Sequence, residues 1–257
     1  MGILNVTPDS FYDGGHYKNT MSIIGQVKSM TEEGATFIDI GGYSSRPGAD
    51  DVSEDEELKR VIPIVELILR EFPETLISVD TFRSTVAKHA INAGACLVND
   101  ISAGHLDHEM LYTISKLKVP YIMMHMRGNP KTMQQLTSYN DLVKDILFYF
   151  SERIAKARAL GIVDLIVDPG FGFAKTIAQN FELLNNLELL KLTDVPILSG
   201  VSRKSMIYKT LGSSTEEALN GTTALHMIAL QKGASILRVH DVKEAVECVA
   251  LTNALKG

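Results

Sequence analysis

The sequence predicts one α/β domain, a (β/α)8 TIM barrel spanning residues 1–257 with its site at the C-terminal ends of the strands, and three observations carry that expectation. Eight apolar, strand-like runs alternate with segments of helical period along the whole chain. No linker, low-complexity tract or sequence repeat interrupts them. Gly34, Gly94, Gly161 and Gly233 each stand just before the next strand-like run, where a helix C-terminal stop belongs. Eight strands in about 250 residues suit a closed barrel better than an open doubly wound sheet. An open sheet would carry a phosphate loop in its first βα turn. The Asn-Val-Thr-Pro-Asp-Ser-Phe stretch at 5–11 has neither a dinucleotide nor a P-loop pattern.

Taken in order, the strand runs are 2–6, 37–41, 76–80, 96–101, 120–125, 163–168, 195–200 and 235–240. The helical segments between them are 22–33, 54–71, 84–93, 109–118, 142–160, 180–190, 218–231 and 243–255. In the fifth of these, Leu142, Ile146, Phe150, Ile154 and Ala157 step by three or four and so share one face. Two connections, 7–19 and 41–51, are longer than neighbouring elements require, which at the functional face marks binding loops or lids.

Composition excludes several classes of function. With 45% hydrophobic and 22% charged residues the chain is an ordinary globular protein. A net charge of −6 with scattered Lys and Arg makes nucleic acid a poor partner. No apolar run approaches the roughly 20 residues of a membrane span, and the N-terminus has no secretion-signal pattern. Cys96 and Cys248 lack metal or redox spacing and read as buried free thiols of a cytoplasmic protein.

In a barrel, function is read from the last residues of the strands. These are Asn5, Asp80, Asn99, Asp100, His125, Asp168, Ser199 with Ser202 just beyond, and Arg238 with His240. Alternate residues of a strand share a face, so Asn5 aims with Ile3, Asp80 with Ser78, Asn99 with Leu97, Asp168 with Ile166, and Arg238 with Ile236 and His240. Asp100 then points away and reads as a loop or cap group. Arg238 and His240 suit an oxyanion such as phosphate or diphosphate, and Asn5 completes that pocket as a hard oxygen ligand for Mg2+. Asp80, Asn99 and Asp168 suit the N–H edge of a guanine-like ring, with Lys204 supplying a donor for a ring carbonyl. Met124 offers a soft wall, and Gly200 ends strand seven beside it. His125 reads as a satisfied strand-end histidine, Arg203 as a solvated loop charge, and Lys175 as solvent-facing.

These residues sit in stretches that resemble dihydropteroate synthase. They are Met-Gly-Ile-Leu-Asn-Val-Thr-Pro-Asp-Ser-Phe at 1–11, Asp-Gly-Gly at 13–15, Ser-Arg-Pro-Gly-Ala at 45–49 and Ser-Val-Asp-Thr at 78–81. Val-Asn-Asp-Ile at 98–101, Asp-Pro-Gly-Phe-Gly-Phe at 168–173, Ser-Arg-Lys-Ser at 202–205 and Arg-Val-His-Asp-Val at 238–242 continue the series in order. The resemblance implies a cytoplasmic, homodimeric, Mg2+-dependent transferase of folate biosynthesis, a sulfonamide target. It would join 6-hydroxymethyl-7,8-dihydropterin diphosphate to 4-aminobenzoate by a dissociative mechanism, with Asp80, Lys204 and Arg238 as its catalytic groups. It implies that Asp80, Asn99, Asp168 and Lys204 hold the pterin, and that Arg238, His240 and Asn5 with the metal hold the diphosphate. Ser45, Arg46, Pro47, Phe173 and Ser202 would shape the aminobenzoate site, and Phe11 and Asp13 would act in loop closure. Tyr43 and Ser45 depart from the pattern, standing where many relatives carry Glu and Thr. The competing readings are a methyltetrahydrofolate methyltransferase barrel, which has no need of a diphosphate clamp, and a non-catalytic pterin-binding relative.

Overall fold

The computed structural model describes residues 1–6, 16–43 and 52–256, with the side chains of 16–19 and 256 excepted. Strand β1 (Gly2–Asn5) precedes helix α1 (His16–Glu32), β2 (Phe37–Gly41) precedes α2 (Glu54–Glu71), and β3 (Leu76–Asp80) precedes α3 (Ser84–Asn92). β4 (Leu97–Asp100) leads to α4 (Met110–Leu117), β5 (Tyr121–Met124) to α5 (Leu142–Ala159), and β6 (Leu165–Asp168) to α6 (Ile177–Asn185). After β7 (Ile197–Ser199) come α7 (Ser205–Leu211) and α8 (Leu219–Gln231), and β8 (Ala234–Leu237) precedes α9 (Val242–Lys256). The eight strands pair in parallel in chain order. A parallel bridge between Gly2 and Val239 joins the last strand to the first, with Ile3 N–H donating to the Val239 carbonyl at 2.9 Å. The sheet is a closed barrel.

Local chemistry explains where the helices begin and end. Ser53 caps α2 by accepting from Glu56 N–H, and four acidic residues in the first turn complement the positive end of the helix dipole. Thr176 and Gln179 form a reciprocal capping box on α6. The four glycine stops read from the sequence all adopt positive φ, 98° at Gly34, 111° at Gly94, 80° at Gly161 and 103° at Gly233, a region that a Cβ disfavours. Leu142, Ile146, Phe150, Ile154 and Ala157 of α5 are all buried. Burial of a side chain the size of Phe150 stabilises by roughly 1.5–3 kcal/mol.

Several elements differ from the sequence reading. α1 begins six residues earlier than the expected residue 22, and α6 occupies 177–185 where 180–190 is expected. β8 ends at Leu237 where the expected strand runs to 240, so Arg238 and His240 follow the strand. α7, with seven residues, has no counterpart in the sequence reading. α7 is too short for a 3.6-residue period to be recognised, and it starts immediately after a polar strand-end loop.

Strand parity divides the packing. Leu97, Ile122, Ile166 and Leu198 fill the barrel interior. Residues of the opposite parity, such as Leu4, Ile40, Val79, Val98 and Val167, pack outward against the helices. A separate apolar cluster of Ile101, Met124, Met126, Met133, Phe173 and Ala174 lies apart from both.

Candidate active site

The register aligns the polar strand ends. Asn5 pairs with Gly41, Gly41 with Asp80, and Asp80 with Asn99, which places them in one row across β1 to β4. Met124 pairs with Asp168 between β5 and β6. Asp80, Asn99, Met124, Asp168, Phe173, Gly200, Lys204 and Arg238, all singled out from the sequence, line one cavity together with Ile101, Gly170 and Phe171.

In the wall of this cavity the Arg238 guanidinium bonds to two carboxylates. Arg238 Nε donates to Asp39 Oδ2 and Arg238 Nη2 donates to Asp80 Oδ2, each at 2.6 Å. Asp39 Oδ2 also accepts from Asn99 Nδ2 at 3.1 Å. Burial works against the charge on Arg238, yet Asp39 and Asp80 raise its pKa above the ordinary arginine value. Two carboxylates share that one cation. Burial pushes Asp80 up to about 7, opposed by Arg238 and reinforced by Asp39. Asp39 was not singled out from the sequence. It lies in the middle of β2 rather than at its end, flanked by Ile38 and Ile40, yet it shares parity with Gly41 and is fully buried. A carboxylate inside an apolar strand was the signal that could have found it.

The opposite wall is built by the loop after β6. Asp168 is buried and accepts from Gly170 N–H at 2.8 Å. Burial raises its pKa, against the hydrogen bond from Gly170 and the charges of Lys204, Arg238 and Lys175. Gly170 has φ +70°, and a Cβ there would lie 2.2 Å from the His125 carbonyl oxygen, so only glycine lets the loop pass. Lys204 Nζ lies 4.7 Å from the centre of the Phe173 ring, a cation–π contact that orients both groups.

Other expected site residues are placed differently. Ser202 and His240 do not line the cavity; they bond to each other, Oγ to Nδ1 at 3.0 Å, and His240 N–H donates to Ser202 Oγ at 3.2 Å. Asn5 is half-buried at the end of β1. Phe11, Asp13, Ser45, Arg46 and Pro47 lie outside the described residues. Tyr43 packs edge-on against Phe82 at 5.2 Å. As expected, Asp100 turns away from the cavity and serves as a cap, accepting from Ser102 N–H, Ser102 Oγ, Gly104 N–H and Tyr121 Oη.

Two expectations are corrected. Arg203 is not a solvated loop charge. Its fork donates to both oxygens of Asp241, at 2.9 and 2.8 Å, and to the carbonyls of Thr215 and Glu216. Asp241 lies 38 residues away, so no local pattern announced the pair. Lys175 does not face solvent. It is buried, with Nζ 3.0 Å from His125 Nδ1 and donating to the carbonyls of Gly170 and Phe173. His125 is accordingly satisfied and packed, edge-on to Tyr149 at 4.8 Å.

Known proteins resemble this chain over nearly its whole length. The family model described as Pterin binding enzyme matches residues 1–240. A dihydropteroate synthase of Synechocystis sp. is 46% identical over 258 residues, covering 99% of this chain and 89% of that protein. The structure of Yersinia pestis dihydropteroate synthase with a sulfonamide drug complex superposes with a TM-score of 0.93 at 44% identity, covering 100% of this chain and 93% of that one. Xanthomonas albilineans dihydropteroate synthase with 4-aminobenzoic acid gives a TM-score of 0.92 at 40% identity, covering 100% of this chain and 92% of that one. From its motifs, its barrel and these relatives, the chain belongs to the dihydropteroate synthase family of pterin-binding enzymes.

Proposed function

We propose that this chain is a transferase of folate biosynthesis that condenses 6-hydroxymethyl-7,8-dihydropterin diphosphate with 4-aminobenzoate to give 7,8-dihydropteroate and diphosphate. The observation that carries the reading is the shared cavity. The carboxylates of Asp80 and Asp168, the Asn99 amide and the Lys204 ammonium converge on space for a flat ring, beside an arginine suited to an oxyanion. Asp168 is the acceptor for the amino and ring N–H groups of the pterin, Asn99 adds an amide, and Lys204 donates to the ring carbonyl. Met124 and Gly200 form the walls of the pterin pocket. Phe173 and Ser202, with Ser45, Arg46 and Pro47, border the aminobenzoate, and Phe11 and Asp13 act in closing the loop.

The reaction is dissociative. The methylene C–O bond breaks first, and its electron pair leaves on diphosphate, whose charge Arg238 and His240 offset. The remaining cation is delocalised into the pterin ring, where the Asp80 carboxylate stabilises it electrostatically. The neutral aromatic amine then forms the C–N bond and loses a proton to solvent, so no strong general base is required.

Mg2+ suits this site through Asn5. No group of three or more His, Cys, Asp or Glu side chains that could hold a metal occurs among the described residues. A lone amide oxygen fits an ion that takes its remaining ligands from diphosphate and water. Bound there, Mg2+ would offset charge on the leaving group.

We read the enzyme as a cytoplasmic homodimer. Exposed apolar side chains on neighbouring helices, Ile228 on α8 and Val246, Val249, Leu251 and Leu255 on α9, support self-association. Unpaired Cys96 and Cys248 suit a reducing compartment, and no described helix is long and apolar enough to cross a membrane.

Diphosphate release is measured with both substrates and Mg2+, beside a binding titration with methyltetrahydrofolate. Release that requires the pterin diphosphate supports the reading. Tight methyltetrahydrofolate binding without release overturns it in favour of a methyltransferase barrel.

A further inference from the structure

We propose that Lys175 is a positioning residue for pterin recognition: with Tyr139 it ties the 169–174 loop into the shape that aims Asp168 and Phe173 into the cavity. The inference rests on reading that cavity as the pterin site. Lys175 itself is not one of the lining residues, and catalysis as described above makes no use of it.

The loop is strained and needs ties. Gly170, Gly172 and Ala174 all have positive φ, at 70°, 84° and 50°. For Ala174 the left-handed region is sterically disfavoured, and such a conformation persists only where its surroundings over-determine it. Lys175 Nζ supplies two of the ties, donating at 3.0 Å to the carbonyls of Gly170 and Phe173. Tyr139 Oη supplies another, donating to the Ala174 carbonyl at 2.9 Å.

These ties do not depend on protonation. Burial lowers Lys175 to about 7, against the pull of Asp168. A neutral amine still has two N–H donors for the two carbonyls, and its contact with His125 Nδ1 simply reverses direction with the tautomer.

Both Lys175 ties reach a residue that lines the cavity, and the Tyr139 tie holds the residue next to Phe173. Gly170, held through its carbonyl, uses its N–H to orient Asp168. Its carbonyl also accepts from Phe173 N–H at 3.1 Å, and the Phe173 ring faces Lys204. One buried amine thus fixes the backbone on both sides of the wall. The His125 contact anchors that amine to the residue just after β5, and the His125 N–H donates to the Asp168 carbonyl at 2.9 Å.

The test is a fluorescence titration of the full chain with 6-hydroxymethylpterin, using wild type, Lys175→Met, Asp168→Asn and the double variant. Lys175→Met is expected to weaken binding roughly tenfold or more, and to lose most of that effect in the Asp168→Asn background, because coupled groups are non-additive. Unchanged binding in Lys175→Met overturns the proposal, as do effects that simply multiply. If Lys175→Met does not fold, Tyr139→Phe carries the test, since it removes one hydroxyl from a half-buried ring and keeps the ring under Arg127. Several-fold weaker binding, suppressed by Asp168→Asn, supports the proposal; wild-type affinity overturns it. Failure of wild type to bind the pterin would instead overturn the reading of the cavity.

Discussion

Replacing Asp39 by Asn tests how the central guanidinium sets the charge of the site. The change keeps the shape of a side chain that is 0% exposed and removes its charge. Asp39 Oδ2 and Asp80 Oδ2 lie on different nitrogens of one guanidinium at 2.6 Å each, so both charges face the same small group. At an effective dielectric near 20, two like charges about 5 Å apart repel by about 3 kcal/mol, equivalent to about two pH units. The Asp80 side chain is 20% exposed, and solvent screening reduces the expectation to about one. With Asp39 neutral, Asp80 also has Arg238 to itself, which acts in the same direction.

If ionised Asp80 is required for turnover, kcat/KM for the pterin diphosphate rises with pH through about 7 in the wild type. In Asp39→Asn that acid limb moves down by about one pH unit. The assay is a steady-state pH profile of both proteins with the same substrates, whose own titrations then cancel. A limb that stays in place, or moves up, would refute the shared-guanidinium account.

Further outcomes follow from the same geometry. Lys204→Ala, at the cavity wall, should lose most turnover with little change in Tm. Arg238→Ala should lose turnover and also destabilise by about 3–5 kcal/mol in urea titration, because it strands the buried Asp39 charge; equal melting of the two variants would contradict that distinction. Gly170→Ala should cost at least 2 kcal/mol, since its Cβ would meet a backbone carbonyl at 2.2 Å with φ at +70°; wild-type stability would show that the loop can shift. Lys175 has a folded pKa lowered to about 7 from 10.5. Between those values the unfolded chain binds more protons, so stability gains from this group as pH rises from about 7 to about 10.5. Denaturant titrations across that window should show Lys175→Met lacking this rise, and parallel curves for both proteins would contradict the assignment.

The fold was legible because barrel strands and helices announce themselves by period and by glycine stops, and these needed no tertiary information. The cavity was legible for a related reason. Asp80, Asn99 and Asp168 stand at the ends of apolar strands and Arg238 just past one, all on the inward parity, so one rule places them together. Asp39 obeys that rule but was hidden by its place in the middle of β2, where a strand-end reading does not look. Lys175 and Arg203 were misread for a different reason. Their partners are backbone carbonyls exposed by positive-φ turns, or a carboxylate brought in from another strand end, and neither has a signature in the neighbouring sequence. The loop roles of Phe11, Asp13, Ser45, Arg46 and Pro47 fall outside the described residues.

The central claim is that the strand ends form a pterin site, and a crystal structure with 6-hydroxymethylpterin bound tests it most directly. The ring is expected in the cavity, with its amino and ring N–H groups on the Asp168 carboxylate, its carbonyl at Lys204 Nζ, and Asp80 and Asn99 along the opposite edge. A pterin bound elsewhere, or seated in the cavity without contact to Asp168 and Lys204, would contradict it.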